Sequence, residues 1–123
     1  MYDIFIDTHF SAGHHLRNYP GNCEFPHGHN WSVRVVVRAT ELDDLGMGID
    51  FRVLKSAVKT MTDTLDHRDL NAHPAFTSRN PSSENIARYL YEGLAGELAT
   101  DRYRLHSVTV GETPTTGVTY HAG

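Results

Sequence analysis

The chain has 123 residues, 39% hydrophobic and 21% charged, a composition that fits a single globular domain over residues 1–123. Its net charge of −4, with histidines neutral, excludes a global field for nucleic acid or an anionic membrane, so any anionic substrate must be held by local groups. Asp3 and Asp7 interrupt the apolar runs of the first ten residues and Cys23 is the sole cysteine; no signal core, membrane span or disulfide is expected, and the cytoplasm is the expected compartment.

In chain order, Ile4, Ile6, Thr8, Phe10, Ala12 and His14 share one parity, which predicts a half-buried strand running into His14. Asn18, Pro20, Gly21 and Asn22 mark a loop. A second strand follows, opened by His27-Gly28-His29, with Trp31, Val33, Val35 and Val37 alternating against Ser32, Arg34 and Arg38. Asp43-Asp44-Leu45-Gly46 reads as a turn, and Asp50 as the N-cap of a helix whose apolar stripe is Phe51, Leu54, Val58, Met61 and Leu65.

Residues 66–80 are polar and irregular, so they read as a loop. Pro81-Ser82-Ser83-Glu84 then opens a second helix, with Ile86, Leu90, Leu94 and Leu98 as its stripe. Strand character returns at Val108 and Val110, which share a parity with Glu112, and again at Val118–Tyr120 after a Pro114–Gly117 turn. The order strand, strand, helix, helix, strand, strand predicts an α+β fold: a four-stranded antiparallel sheet with both helices on one face.

Histidine is the compositional outlier, with nine residues. Period two puts His27 and His29 on one strand face, shared with Trp31 and Val33 and therefore turned inward. If the first two strands are neighbours, His14 joins them, and three imidazoles with one open position is the usual arrangement of catalytic zinc. Set against this, a bare His-x-His pair is equally at home as two ordinary polar residues. His15 falls on the outer parity and is set aside. His9, His73, His106 and His121 have no partner by spacing and are expected at the surface or in loops. Gly28 leaves the backbone free to approach closely. Cys23 has three readings: a fourth ligand that closes the site, a thiolate of lowered pKa beside it, or an inert thiol.

Five segments occur in order: Phe10-Ser11-Ala12-Gly13-His14-His15-Leu16, Cys23-x-x-x-His27-Gly28-His29-Asn30, Leu65-Asp66-His67, Pro81-Ser82-Ser83-Glu84-Asn85 and Val110-Gly111-Glu112-Thr113. Together they resemble the 6-pyruvoyl-tetrahydropterin synthase / 6-carboxy-tetrahydropterin synthase family over almost the whole chain. The resemblance implies a tunnel fold, in which three subunits close their sheets into a barrel and two trimers stack into a homohexamer. It also implies a zinc-dependent carbon–carbon lyase acting on 7,8-dihydroneopterin triphosphate. On that pattern His14, His27 and His29 hold Zn2+, Cys23 is the general base and Asp66 with His67 forms the relay. Glu112 anchors the pterin ring, with Ser83 and Glu84 also on the substrate side.

These roles are chemically coherent. Zinc polarises a hydroxyl or carbonyl oxygen, a thiolate moves a carbon-bound proton, and an aspartate fixes a histidine tautomer for a second transfer. A carboxylate accepts two N–H bonds from an aminopyrimidinone edge. Taken alone, Asp66-His67 also reads as a helix C-terminus and Glu112 as a strand-end surface carboxylate. The Cys-x3-His spacing resembles the carboxy-tetrahydropterin branch of queuosine and other deazapurine pathways, with triphosphate and acetaldehyde released. Alternatives are the pyruvoyl product, the hydroxymethyl-dihydropterin of the folate-bypass branch suggested by Glu24, a zinc hydrolase, and a non-catalytic zinc-binding assembly protein closed by Cys23.

Overall fold

The computed structural model describes residues 1–19 and 25–123. Two long strands, β1 (Tyr2–His14) and β2 (His27–Ala39), pair antiparallel over their whole length, with His14 opposite His27 and Ala12 opposite His29. Along both, burial alternates with the parity read from the sequence: Ile6, Phe10, Ala12 and His14 on β1, and Trp31, Val33, Val35, Val37 and Ala39 on β2, are buried. After the Asp43–Gly46 turn comes α1 (Phe51–Thr62), capped by the Asp50 carboxylate, which accepts from the Arg52 N–H at 2.8 Å. Helix α2 (Ser83–Leu94) is capped by Ser82, whose hydroxyl accepts from the Asn85 N–H at 3.2 Å, with Glu84 in its positive first turn. Strands β4 (Tyr103–Gly111) and β5 (Val118–Tyr120) extend the sheet from β2.

The α+β class, the antiparallel sheet and the paired helices agree with the sequence reading. One hydrophobic cluster joins the inward residues of β1, β2 and β4 to Leu54 and Val58 of α1 and Ile86, Leu90 and Leu94 of α2. Leu65 and Leu98, assigned to the helical stripes, lie beyond the helix ends yet remain buried. Phe51 departs from expectation: at the first turn of α1 it is 55% exposed. Among the described residues, no helix is long and apolar enough to cross a membrane.

The predicted four-stranded sheet gains a fifth member, and the predicted loop at 66–80 is a strap along the free edge of β1. Near its start is β3 (Arg68–Asp69), which pairs parallel with Ala12 and Gly13 and gives the strand order β3-β1-β2-β4-β5. Two 3-10 turns follow, Leu70–Ala72 and Pro74–Phe76, each burying one apolar residue, Leu70 and Phe76. Apolar periodicity cannot reveal such a segment, because polar groups bind it to the edge. Asp66 Oδ1 accepts from the Ser11 N–H at 2.9 Å and the His67 N–H donates to the Ser11 carbonyl at 2.6 Å, with His67 in the left-handed region at φ 56°. A non-glycine residue there stores local strain, held by the bonds on either side.

Candidate metal centre

The β1–β2 register builds the centre. His14 faces His27 directly, and His29 lies one inward step along β2, so the three rings converge with centroids 4.5, 5.2 and 4.7 Å apart. Trp31, fully buried at the next inward position, stands edge-on to His14 and His29 at 4.7 and 5.3 Å. Phe10 stacks on Trp31 from β1, and the indole N–H donates to the Ala12 carbonyl at 3.1 Å. Core packing therefore sets the wall against which two of the imidazoles rest.

Glu112 enters from β4, the neighbour of β2 on the side away from β1. It follows β4, whose last residue, Gly111, pairs with Ser32. A Cβ at Gly111 would press into the Thr116 carbonyl and the Ser32 hydroxyl, so only glycine lets the β4–β5 connection turn this tightly. The turn carries the Glu112 carboxylate to the imidazoles: Oε2 lies 3.1 Å from His29 Nε2 and Oε1 3.8 Å from His14 Nε2. Ligand atoms of His14, His27, His29 and Glu112 all fall within 4.8 Å of one another.

Two observations show that this set fits a metal ion. Among the described residues, the buried Nε2 atoms of His14 and His29 have no hydrogen-bond partner; even the close approach of Glu112 to His29 lacks hydrogen-bond alignment. Buried polar atoms are seldom left so in native proteins. In addition, the opposite ring nitrogens of two of the histidines are engaged. His14 Nδ1 donates to the Pro81 carbonyl at 2.8 Å and His27 Nδ1 to that of Phe25 at 2.7 Å, which leaves each Nε2 as a lone pair aimed into the cluster. Burial pushes the His14 imidazole below its ordinary pKa, against the opposing effects of the Pro81 bond and the Glu112 charge. Its neutral, ligating form is favoured at neutral pH. Three nitrogens with a carboxylate at hand is a donor set suited to zinc.

Not every anticipated residue lies here. His15 stays out of the cluster, its backbone held by Asn71. Asp66 and His67 pair with each other, Oδ2 to Nδ1 at 3.0 Å, at the β1 edge; the His67 ring is 82% exposed and not part of the four-residue group. The Ser11 N–H holds the Asp66 carboxyl below the usual carboxylate range, reinforced by His67. His67 lines an open cleft together with Gly13, Gly28 and His29. Gly28 has nothing within 4 Å of where a Cβ would sit, so the close backbone approach expected there is absent among the described residues. Ser83 is half-buried and Glu84 exposed at the first turn of α2, just beyond the Pro81 carbonyl that holds His14. Cys23 and Glu24 lie outside the described residues. Of the remaining histidines, His73 caps a 3-10 turn and His106 stacks on His121 at 6.5 Å. The Pro81 carbonyl and the Trp31 wall were missed by sequence reasoning, which saw one as a helix start and the other as core.

The 6-pyruvoyl tetrahydropterin synthase family model matches residues 3–123. The 6-carboxy-5,6,7,8-tetrahydropterin synthase of Bacillus subtilis (strain 168) is 33% identical over 126 residues, covering 97% of this chain and 84% of that protein. The enzyme of the same name from Rickettsia bellii (strain RML369-C) is 26% identical over 123 residues, covering 85% and 89%. The solved structure of Caenorhabditis elegans 6-pyruvoyl tetrahydropterin synthase matches with a TM-score of 0.88 at 31% identity, over 99% of this chain and 96% of that one. With the fold, the length matched and the histidine cluster in agreement, the chain belongs to the 6-pyruvoyl tetrahydropterin synthase family.

Proposed function

We propose that the chain is a 6-carboxy-5,6,7,8-tetrahydropterin synthase, a zinc-dependent lyase that converts 7,8-dihydroneopterin triphosphate to 6-carboxytetrahydropterin, releasing triphosphate and acetaldehyde. The observation that carries this reading is the convergence of His14, His27 and His29, with two buried Nε2 atoms that lack partners among the described residues. The carboxy product follows the names of the Bacillus and Rickettsia relatives and the Cys23-x3-His27 spacing.

In this reading His14, His27 and His29 hold zinc, which supplies Lewis-acid polarisation of the substrate's side-chain oxygens when bound. The Pro81 and Phe25 carbonyls fix two of the ring tautomers. Glu112 accepts N–H bonds from the aminopyrimidinone edge of the pterin, and Ser83 and Glu84 contribute polar contacts to the substrate. Cys23 takes the carbon-bound proton as thiolate. Asp66 holds the His67 tautomer through its 3.0 Å contact, leaving the exposed ring to pass a second proton.

The chain acts as one domain over residues 1–123 and assembles into a homohexamer of two trimers in the cytoplasm, serving queuosine or another deazapurine pathway. Phe51 and Val53, 55% and 52% exposed on α1, with Leu45 at 81%, support an assembly that covers them. A second reading of one residue is favoured by distance: Glu112, 3.1 Å from His29 Nε2, would be a fourth ligand. The test is incubation with dihydroneopterin triphosphate, mass analysis of the pterins and an assay for acetaldehyde, beside metal analysis of His14→Ala and His15→Ala. The reading requires 6-carboxytetrahydropterin with acetaldehyde, and zinc lost from His14→Ala alone. Hydroxymethyl-dihydropterin, a pyruvoyl product, or no turnover with zinc bound would replace it.

A further inference from the structure

The strap meets alternate residues of β1 and its continuation: Ser11 through Asp66 and His67, Gly13 through β3, His15 through Asn71 and Arg17 through Asn80. The last two contacts are alike. Asn71 Oδ1 accepts from the His15 N–H at 2.9 Å while its Nδ2 donates to the His15 carbonyl at 3.1 Å. Asn80 Oδ1 accepts from the Arg17 N–H at 2.9 Å and its Nδ2 donates to the Arg17 carbonyl at 3.2 Å. Each carboxamide thus offers the acceptor and the donor that a neighbouring strand would offer, and continues the ladder where β1 has ended.

The brace is closed on itself. The Arg17 guanidinium donates to the Arg79 and Asn71 carbonyls at 3.1 and 3.2 Å, and the Asn80 carbonyl accepts from Asn85 Nδ2 at 2.9 Å. His14 is suspended within it. Its backbone lies between Gly13, paired to β3, and His15, held by Asn71; its ring donates to Pro81, the residue after Asn80.

We infer that Asn71 and Asn80 are positioning residues for the metal ligand His14, locking its backbone and, through Pro81, its ring so that Nε2 faces the cluster. This rests on the zinc reading of that cluster. An outer partner that orients a ligating histidine is worth about 10- to 100-fold in metal affinity. A purely structural brace would lower stability and leave affinity unchanged.

The experiment measures zinc affinity of the full chain by competition with a chromophoric chelator, together with the melting temperature of each metal-free variant. Asn71→Ala and Asn80→Ala each weaken zinc, Asn80→Ala by about 10- to 100-fold. Asn80→Asp keeps the acceptor for the Arg17 N–H, loses the donor, and falls between; it carries the test if the alanine variants do not fold. Arg102→Ala is the control. It removes a side chain that donates to the Met47 and Gly48 carbonyls at the other end of the sheet, so it lowers melting temperature with zinc affinity intact. Zinc affinity unchanged in the asparagine variants, or weakened equally in Arg102→Ala, overturns the inference. A wild-type chain that binds no zinc overturns the metal reading itself.

Discussion

Glu112 Oε2 lies 3.1 Å from His29 Nε2, which brings a carboxylate from beyond β4 against an imidazole of β2. Such a group either completes a metal shell or accepts from the substrate ring, and the two roles separate in one variant. Glu112→Ala is expected to keep about one zinc per chain, as three imidazoles suffice. Its KM should rise by roughly 10- to 100-fold, the loss of about 1.5–3 kcal/mol from hydrogen bonds to a charged acceptor. Zinc disappearing from the dialysed variant would make Glu112 a ligand instead.

Trp31 is the joint between core and site, since its faces and edges meet Phe10, His14 and His29 while its N–H binds Ala12. Trp31→Ala should destabilise the metal-free chain by about 3–5 kcal/mol in urea denaturation. Trp31→Phe keeps most of the volume and loses the indole bond to the Ala12 carbonyl, which retains its place in the β1–β2 ladder, at a cost of about 0.5–1.5 kcal/mol. Measuring without zinc matters, because a ligand that binds only the folded state masks part of the loss. An alanine variant as stable as wild type would show that the ring wall is dispensable.

The β1–β2 half of the centre was legible because strand parity is a local property. His14, His27 and His29 each sit on the apolar parity of their strand, and pairing of neighbouring strands brings such positions together. Glu112 was visible as a residue of the Val108–Val110 face, but its reach to His29 depends on the turn that Gly111 permits, which no periodicity encodes. The strap was illegible for a related reason. Asp66, Asn71 and Asn80 look like loop residues because their side chains do the work of a backbone, bonding to Ser11, His15 and Arg17. The reading of 66–80 as polar and irregular holds; what periodicity does not show is the pairing of Arg68 and Asp69 with the β1 edge.

Asp66 anchors the start of that strap, and the Ser11 N–H, followed by His67, holds its carboxyl below the usual range. A carboxylate depressed in the folded state adds stability that is full above its unfolded pKa, about 3.9, and is lost as pH falls through the folded value. The gap in melting temperature between wild type and Asp66→Ala should therefore be steady from pH 7 to about 5 and shrink below about 4. A gap that persists undiminished at pH 3 would mean that the ionised carboxylate is not what holds Ser11.

In the proposed reading the product turns on Cys23 and Glu24, and a pair of substitutions separates their roles. If Cys23 is the base, Cys23→Ala removes a proton acceptor and no ligand, so zinc content and melting temperature stay at wild-type values. Turnover of dihydroneopterin triphosphate then falls by about two to four orders of magnitude. Glu24→Ala should scarcely change the yield of 6-carboxytetrahydropterin, because the carboxylate has no step of its own in that route. The opposite pattern has a different meaning. A Cys23→Ala variant that still cleaves the side chain, giving hydroxymethyl-dihydropterin until Glu24 is also removed, would assign the base to Glu24 and the chain to the folate-bypass branch. Zinc lost on Cys23→Ala would instead make the thiolate a fourth ligand, closing the site to substrate in the manner of structural zinc. Product identity and zinc content, measured on the same two variants, distinguish all three.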